Sequence, residues 1–235
     1  MVMTTTQKIY VVYGSETRLL GPLFSDKSAR FIRIYGKNHP LKAINCVDIH
    51  DISQLKVTLS TEILSLGSSL PRLVFVGAAF KSQRSLFSQV SEDEIDLAID
   101  VNIRNYMRIV KILLPFMIEA KWGRMIYLSS FRSVVTGKGT SIYSACKAFG
   151  EKFFEIIGKE YGRVGISTTT IRMGYFDGRM TDAFSKEKVS GLQTKIASKR
   201  LGNSDDLYNA IKFAENNAFS NSGVLDLNGG LVFDH

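Results

Sequence analysis

The sequence predicts an α/β fold, a doubly wound parallel sheet of about seven strands with helices on both faces. Two observations carry this. Short apolar runs rich in β-branched residues recur along the chain and stop at small or polar residues, as strands buried on both faces do. Helical patterns lie between them, and strands alternating with helices imply parallel pairing through right-handed crossovers. In such a sheet ligands bind beyond the carboxyl ends of the strands. The small-residue clusters that close these apolar runs fall at those ends, so the pattern locates a site before any motif is considered.

The elements follow in order. Residues 8–13 (KIYVVY) form a β-rich run that stops at Gly14, and residues 31–35 (FIRIY) form another that stops at Gly36. Between them only a short helix fits, over about 22–29, with Pro22 tolerated in its first turn because the missing N–H is no loss there. Residues 43–47 (AINCV) end at Asp48, and 53–66 carry Leu55, Val57, Leu59, Ile63 and Leu66 at helical spacing. Residues 73–76 (LVFV) lead into Gly77-Ala78-Ala79. A long amphipathic helix is expected over 93–120, then a strand, 124–128 (RMIYL), ending in Ser129-Ser130, then a helix over 141–161. Residues 166–171 (ISTTTI) lead towards Gly174. The SDDL start of 204–215 supplies an N-cap and first-turn acids. Residues 224–227 (VLDL) precede Asn228-Gly229-Gly230.

Composition narrows the class. Of 235 residues, 45% are hydrophobic and 22% charged, an ordinary globular balance that can bury one substantial core. No Pro/Gly/Ser-rich linker divides the chain, so residues 1–235 read as a single domain. The start of the chain is polar, without the apolar core of a signal peptide, and no run approaches the roughly 20 apolar residues that span a bilayer. Cys46 and Cys146 lack CxxC spacing and a metal partner set, which fits a reducing, cytoplasmic setting. The net charge of +8 is spread among acidic residues, as in SEDEID at 91–96, rather than gathered into a basic block. It reads as a solvated surface, not a nucleic-acid or membrane footprint. His39, His50 and His235 read as loop or terminal residues.

The chemistry lies in residues 124–149, RMIYLSSFRSVVTGKGTSIYSACKAF. Tyr143 and Lys147 stand one helical turn apart and share a face. A free tyrosine, with a pKa of about 10, is a poor acid or base at neutral pH. A neighbouring ammonium favours the phenolate and lowers that value towards what acid–base catalysis needs. Ser130 ends the preceding strand, where its hydroxyl can bond a substrate oxygen. The spacing alone means little, since Tyr208 and Lys212 repeat it. Only Tyr143 follows a strand ending in Ser-Ser and a Gly-containing loop. Cys146 reads as a small packing residue rather than a nucleophile.

Together these segments resemble the classical short-chain dehydrogenase/reductase family. SS(x12)YSACKAF is similar to its active-site block. EIDLAIDVNIRNYMRIVKILLPFM resembles its long interface helix, with Asn102 at the position of the catalytic asparagine. Asp48 resembles the aspartate near the adenine, Gly174 stands in the turn beside the nicotinamide, and SGVLDLNGG at 222–230 resembles the closing strand. The resemblance implies a Rossmann-like sheet and an NAD(P)(H)-dependent oxidoreductase that interconverts a carbonyl and a secondary alcohol. It assigns proton exchange to Tyr143, tuning of that tyrosine and a hold on the ribose to Lys147, substrate positioning to Ser130 and a proton relay to Asn102. It further implies a mobile substrate-covering segment over about 175–200, and a homodimer or homotetramer formed through helices 93–120 and 141–161.

The sequence departs from the family at the cofactor loop. Gly14 keeps the first place of the family's glycine motif, but Arg18 takes the second and Leu20 the third, unless a one-residue shift brings Gly21 there. A side chain there crowds a diphosphate, unless Ser15 and Arg18 replace backbone contacts with hydroxyl and charged ones. Val76-Gly-Ala78-Ala79 replaces the usual Asn-Asn-Ala-Gly, losing amides that brace the central strands, and Met173 replaces a proline. With no acid after the second strand, Lys37, and Arg18 with it, favours NADP over NAD. The candidate cofactor residues are therefore Gly14, Ser15, Arg18, Lys37, Asp48, Ala78, Tyr143, Lys147 and Gly174. The altered loop leaves two alternatives: a binding or scaffold subunit with impaired redox function, and a non-redox acid–base enzyme such as a dehydratase or isomerase.

Overall fold

The computed structural model describes residues 8–14, 17–35, 46–48, 52–65, 72–80, 85–135, 137–178, 181–182 and 184–231. Seven parallel strands form one sheet. In chain order they are β1 (Lys8–Tyr13), β2 (Ala29–Tyr35), β3 (Cys46–Asp48), β4 (Arg72–Gly77), β5 (Gly123–Ser130), β6 (Ile166–Met173) and β7 (Gly223–Leu227). Their order across the sheet is β3-β2-β1-β4-β5-β6-β7. The reversal between β1 and β4 opens the crevice where doubly wound sheets bind ligands.

Alternate residues of the central strands β1, β4 and β5 enter different cores. On one face Val11, Phe75 and Tyr127 pack with Ile109 and Phe154. These last two lie on α4 (Asn105–Glu119) and α5 (Ser141–Tyr161). On the other face Tyr10, Val12, Val74 and Ile126 pack with Leu23, Leu207 and Ile211. Those belong to α1 (Gly21–Phe24) and α7 (Ser204–Asn216), while α2 (Ile52–Ser65) joins the first core through Leu55, Leu59 and Ile63. Gly150 lets α5 lie directly on the sheet, because a Cβ there would sit 2.2 Å from the Tyr127 ring.

Three elements differ from the periodic expectation. The first helix is a 3-10 turn over Arg18–Leu20 followed by one α-helical turn, and β2 then begins at Ala29. The long helix expected over 93–120 is α3 (Glu92–Ile99), a π-helical turn (Asp100–Arg104) and α4. A π turn adds a residue without ending the apolar pattern, which is why periodicity does not reveal it. The weakly patterned segment 175–200 contains α6 (Lys186–Thr194), capped by Ser185. Capping boxes at Ser91/Glu94 and Asn203/Asp206 fix the starts of α3 and α7, the second one residue earlier than SDDL implies.

Lys212, half of the repeated Tyr/Lys spacing, is committed elsewhere. Its ammonium lies 2.6 Å from Glu215 Oε2 and donates to the Tyr10 hydroxyl at 3.1 Å. Glu215 is also bound by Lys8 and Tyr10, and its carbonyl accepts from Arg124 at 3.0 Å. This cluster occupies the amino end of the sheet, opposite the crevice.

Candidate active site

Of the expected residues that the structure describes, Gly14, Ala78, Ser130 and Gly174 lie at the carboxyl ends of strands. Gly14 follows β1 with φ +83°, and a Cβ there would fall 2.3 Å from the backbone of Ala79, so glycine alone fits. Ala78 donates its N–H to Tyr13 at 2.8 Å, and Gly174 donates to Leu227 at 2.9 Å, tying the ends of β6 and β7. The bracing amides absent from this chain have a substitute. The Tyr106 hydroxyl donates to the Ala79 carbonyl at 2.7 Å, and Asn105 donates to the Tyr13 hydroxyl at 3.2 Å. Tyr13 in turn donates to the Val101 carbonyl at 3.0 Å. Hydroxyls from β1 and α4 thus hold the crevice where the family uses side-chain amides.

Ser130 ends β5, and its hydroxyl accepts from the Arg132 N–H at 3.2 Å while hydrogen-bonding Tyr143. The Phe80 ring meets the Tyr143 ring edge-on, with centroids 4.3 Å apart. Burial raises the Tyr143 phenol above its ordinary pKa, and Ser130 and Arg132 pull against that rise. This corrects the expectation that Lys147 makes the phenol acidic, because desolvation outweighs the favourable contacts. The Lys147 ammonium is itself buried, donates to the Leu128 carbonyl at 2.7 Å and lies 5.1 Å from the centre of the Tyr127 ring. Loss of water pushes it down to about 8.

Asn102 is buried in the π turn, donating from Nδ2 to the Ala98 carbonyl at 2.8 Å and bonding the Cys146 side chain. π turns recur where a helix must aim a functional side chain out of register, and here the turn carries Asn102 against α5. Cys146 is 3% exposed and burial raises its thiol, as befits a packing residue.

Arg18 does not stand free. Its Nη2 lies 2.9 Å from Asp177 Oδ1 and 2.8 Å from Asp182 Oδ1, linking the glycine loop to the segment after β6. Ser15, Lys37 and the three histidines lie outside the described residues, as do the side chains of Cys46 and Asp48. Beside the site, a crevice of about 400 Å³ is lined by Leu86, Phe87, Lys138, Thr140, Ser141 and Ser144.

Glu151 is not part of any motif above, yet it anchors the site. Its Oε1 accepts from Ser129 at 2.6 Å and from Ser133, and Arg172 grips both carboxylate oxygens. Its place one turn beyond Lys147 on the same helix face is the signal that could have found it.

A parallel sheet with a reversal crevice, and a Ser–Tyr–Lys constellation above it, define a dinucleotide-fold enzyme site. The chain belongs to the short chain dehydrogenase family, whose pattern matches residues 36–189. That membership supports an NAD(P)-dependent oxidoreductase in general terms. That match begins beyond the altered glycine loop. The 3-oxoacyl-[acyl-carrier-protein] reductase of Escherichia coli (strain K12) is 23% identical over 217 residues, 91% of this chain and 86% of that one. Nodulation protein G of Azospirillum brasilense is 26% identical over 188 residues, 79% and 75% of the two chains. In fold, the chain is similar to ligand-free Thermoplasma acidophilum aldohexose dehydrogenase (TM-score 0.83, 18% identity, 96% and 94% covered). It is also similar to ElxO with NADP bound (TM-score 0.82, 17% identity, 95% and 98% covered). Among the described residues, no helix is long and apolar enough to cross a membrane.

Proposed function

We propose that the protein is an NADP- or NAD-dependent oxidoreductase that interconverts a carbonyl and a secondary alcohol. The observation that carries this reading is the Ser130–Tyr143 hydrogen bond at the carboxyl end of β5, with the Tyr143 ring and the buried Lys147 ammonium both set against Phe80. A binding protein gains nothing from burying an ammonium one helical turn from a buried phenol.

The residues present fit a nicotinamide dinucleotide at its reactive end. Tyr143, Lys147 and Gly174 would hold that end, and Gly14, Ser15, Arg18, Lys37, Asp48 and Ala78 the remainder. When bound, the cofactor supplies or accepts the hydride. The chain's own groups do the rest. The Ser130 hydroxyl orients the substrate oxygen. Tyr143, kept protonated by burial, gives its proton to that oxygen during reduction and recovers it in the reverse direction. Lys147 would favour the phenolate with its charge, and Asn102, bonded to Cys146 on α5, would support the proton relay. Residues 175–200, α6 included, would cover the bound substrate. Preference for NADP rests on the basic character of Arg18 and Lys37.

Exposed Leu97, Met107, Ile118 and Ile156 on α3, α4 and α5 support pairing of two or four copies through these helices. A cytoplasmic enzyme without membrane or nucleic-acid partners fits the scattered charge. One observation favours the scaffold alternative: the helix that offers its N-terminus to the pyrophosphate is reduced to a single α-helical turn.

Fluorescence titration with NADPH and NADH separates the two readings. Saturable binding is expected, with NADPH tighter, and no binding at millimolar cofactor removes the redox reading. With NADPH and a 3-oxoacyl thioester as probe, Tyr143→Phe should lose at least about 100-fold in turnover while cofactor binding persists.

A further inference from the structure

Glu151 follows Tyr143 and Lys147 at intervals of four, so the three side chains run along one face of α5. Unlike the other two, it reaches no reacting group. It reaches the backbone segments that carry them. Ser129 and Ser133, both bonded to its Oε1, flank Ser130 on either side, one on β5 and one in the 3-10 turn Phe131–Ser133. Arg172, bound at 3.1 and 2.8 Å, stands across from Ser129 in the sheet and two residues before Gly174. The other arm of Arg172 reaches Asp226 on β7 at 3.2 and 3.3 Å. One carboxylate therefore joins the end of β5, the turn after it, β6 and α5.

The pair is sheltered, with the Arg172 and Glu151 side chains 16% and 12% exposed. A two-pronged, largely desolvated arginine–carboxylate contact resists the drift that makes surface pairs weak. The charges around Lys147 point the same way. Cys146 and Glu151 on α5 are the groups that favour its charged form, against the loss of water that disfavours it. The aromatic faces of Tyr127 and Phe80 complete its surroundings.

We propose that Glu151 is a positioning residue of this site: it fixes the turn that carries Ser130 and supplies the counter-charge for the Lys147 ammonium. This rests on the oxidoreductase reading for its catalytic meaning, though not for its electrostatic one.

The test compares the full-length protein with Glu151→Gln, Glu151→Asp and the double variant Ser129→Ala/Ser133→Ala. Lysine labelled with ¹³C at Cε reports the Lys147 titration by NMR, assigned by the resonance missing from Lys147→Met. Glu151→Gln should lower the Lys147 midpoint by about one unit, as loss of a nearby opposite charge does. Glu151→Asp should restore most of it. The serine double variant should leave that midpoint unmoved and lower kcat for NADPH-dependent reduction of a 3-oxoacyl thioester by about tenfold, with KM nearly unchanged. A Glu151→Gln protein that melts earlier but keeps the wild-type Lys147 midpoint would make Glu151 a structural tie and overturn the proposal. So would a serine double variant with unaltered kcat. A wild type that binds neither NADPH nor NADH, yet shows the midpoint shift, would remove the oxidoreductase reading and leave the electrostatic role standing.

Discussion

At the scale of single residues, the site is governed by loss of water. Tyr143 and Lys147 are both displaced towards their neutral forms, one upward and one down to about 8. The lysine has a measurable consequence. Between about pH 8 and the ordinary lysine value, the unfolded chain holds a proton that the folded one has released. Stability attributable to Lys147 therefore rises with pH across that window, by up to about 3 kcal/mol for a buried group. Urea unfolding should show Lys147→Met as the more stable protein at pH 7, with the gap to wild type narrowing by pH 9.5. A constant gap would mean the ammonium is not desolvated. Tyr143, Lys147 and Ser130 were legible in the sequence because a helix turn and a strand end are local patterns. The direction of the Tyr143 shift was not, since it depends on how deeply the ring is buried against Phe80 and how far Ser130 and Arg132 oppose that, which spacing does not encode.

At the scale of elements, the strands were nearly all readable from β-branched runs, and the helices from their periodicity. The exceptions share a cause. The π turn at Asp100–Arg104 preserves the apolar stripe on both sides of it, so α3 and α4 look continuous in sequence. The short α1 leaves too few residues for a periodic signal, and its stabilising contacts come from α7, far along the chain. The loop before it still demands glycine at its first position. Gly14→Ala should destabilise by at least about 1–3 kcal/mol from backbone strain alone, before the collision with Ala79 is relieved. Chemical denaturation would detect it, and a wild-type midpoint would show that the turn can relax. Replacement of the family's Asn-Asn pair is likewise an element-level change. Tyr13, Asn105 and Tyr106 do the bracing from two different elements, so no short motif announces them.

At the scale of the molecule, the amino end of the sheet is closed by contacts between residues some 200 positions apart. Glu215 receives Lys8, Tyr10 and Lys212, uniting the first strand with the last helix. Its carboxyl lies below the ordinary glutamate value, burial working against the bonds from Lys212, Lys8 and Tyr10 that win. The stability it contributes is present above the unfolded carboxylate value and lost as pH falls through the folded one. Glu215→Ala takes the shared acceptor from Lys8, Lys212 and Tyr10, though Lys212 keeps Asp26 and Lys8 reaches water, and should cost about 1–3 kcal/mol at pH 7. Thermal melts should show that deficit shrinking in acid, whereas a pH-independent deficit would assign it to packing. Such long-range pairing is invisible to any local reading, and so is the bridge from Arg18 to Asp177 and Asp182. That bridge makes one guanidinium the shared resource of two mouths of the cleft. An anion drawn to the first loop would compete with the two aspartates for it, so its occupancy and the loss of that bridge would be thermodynamically reciprocal.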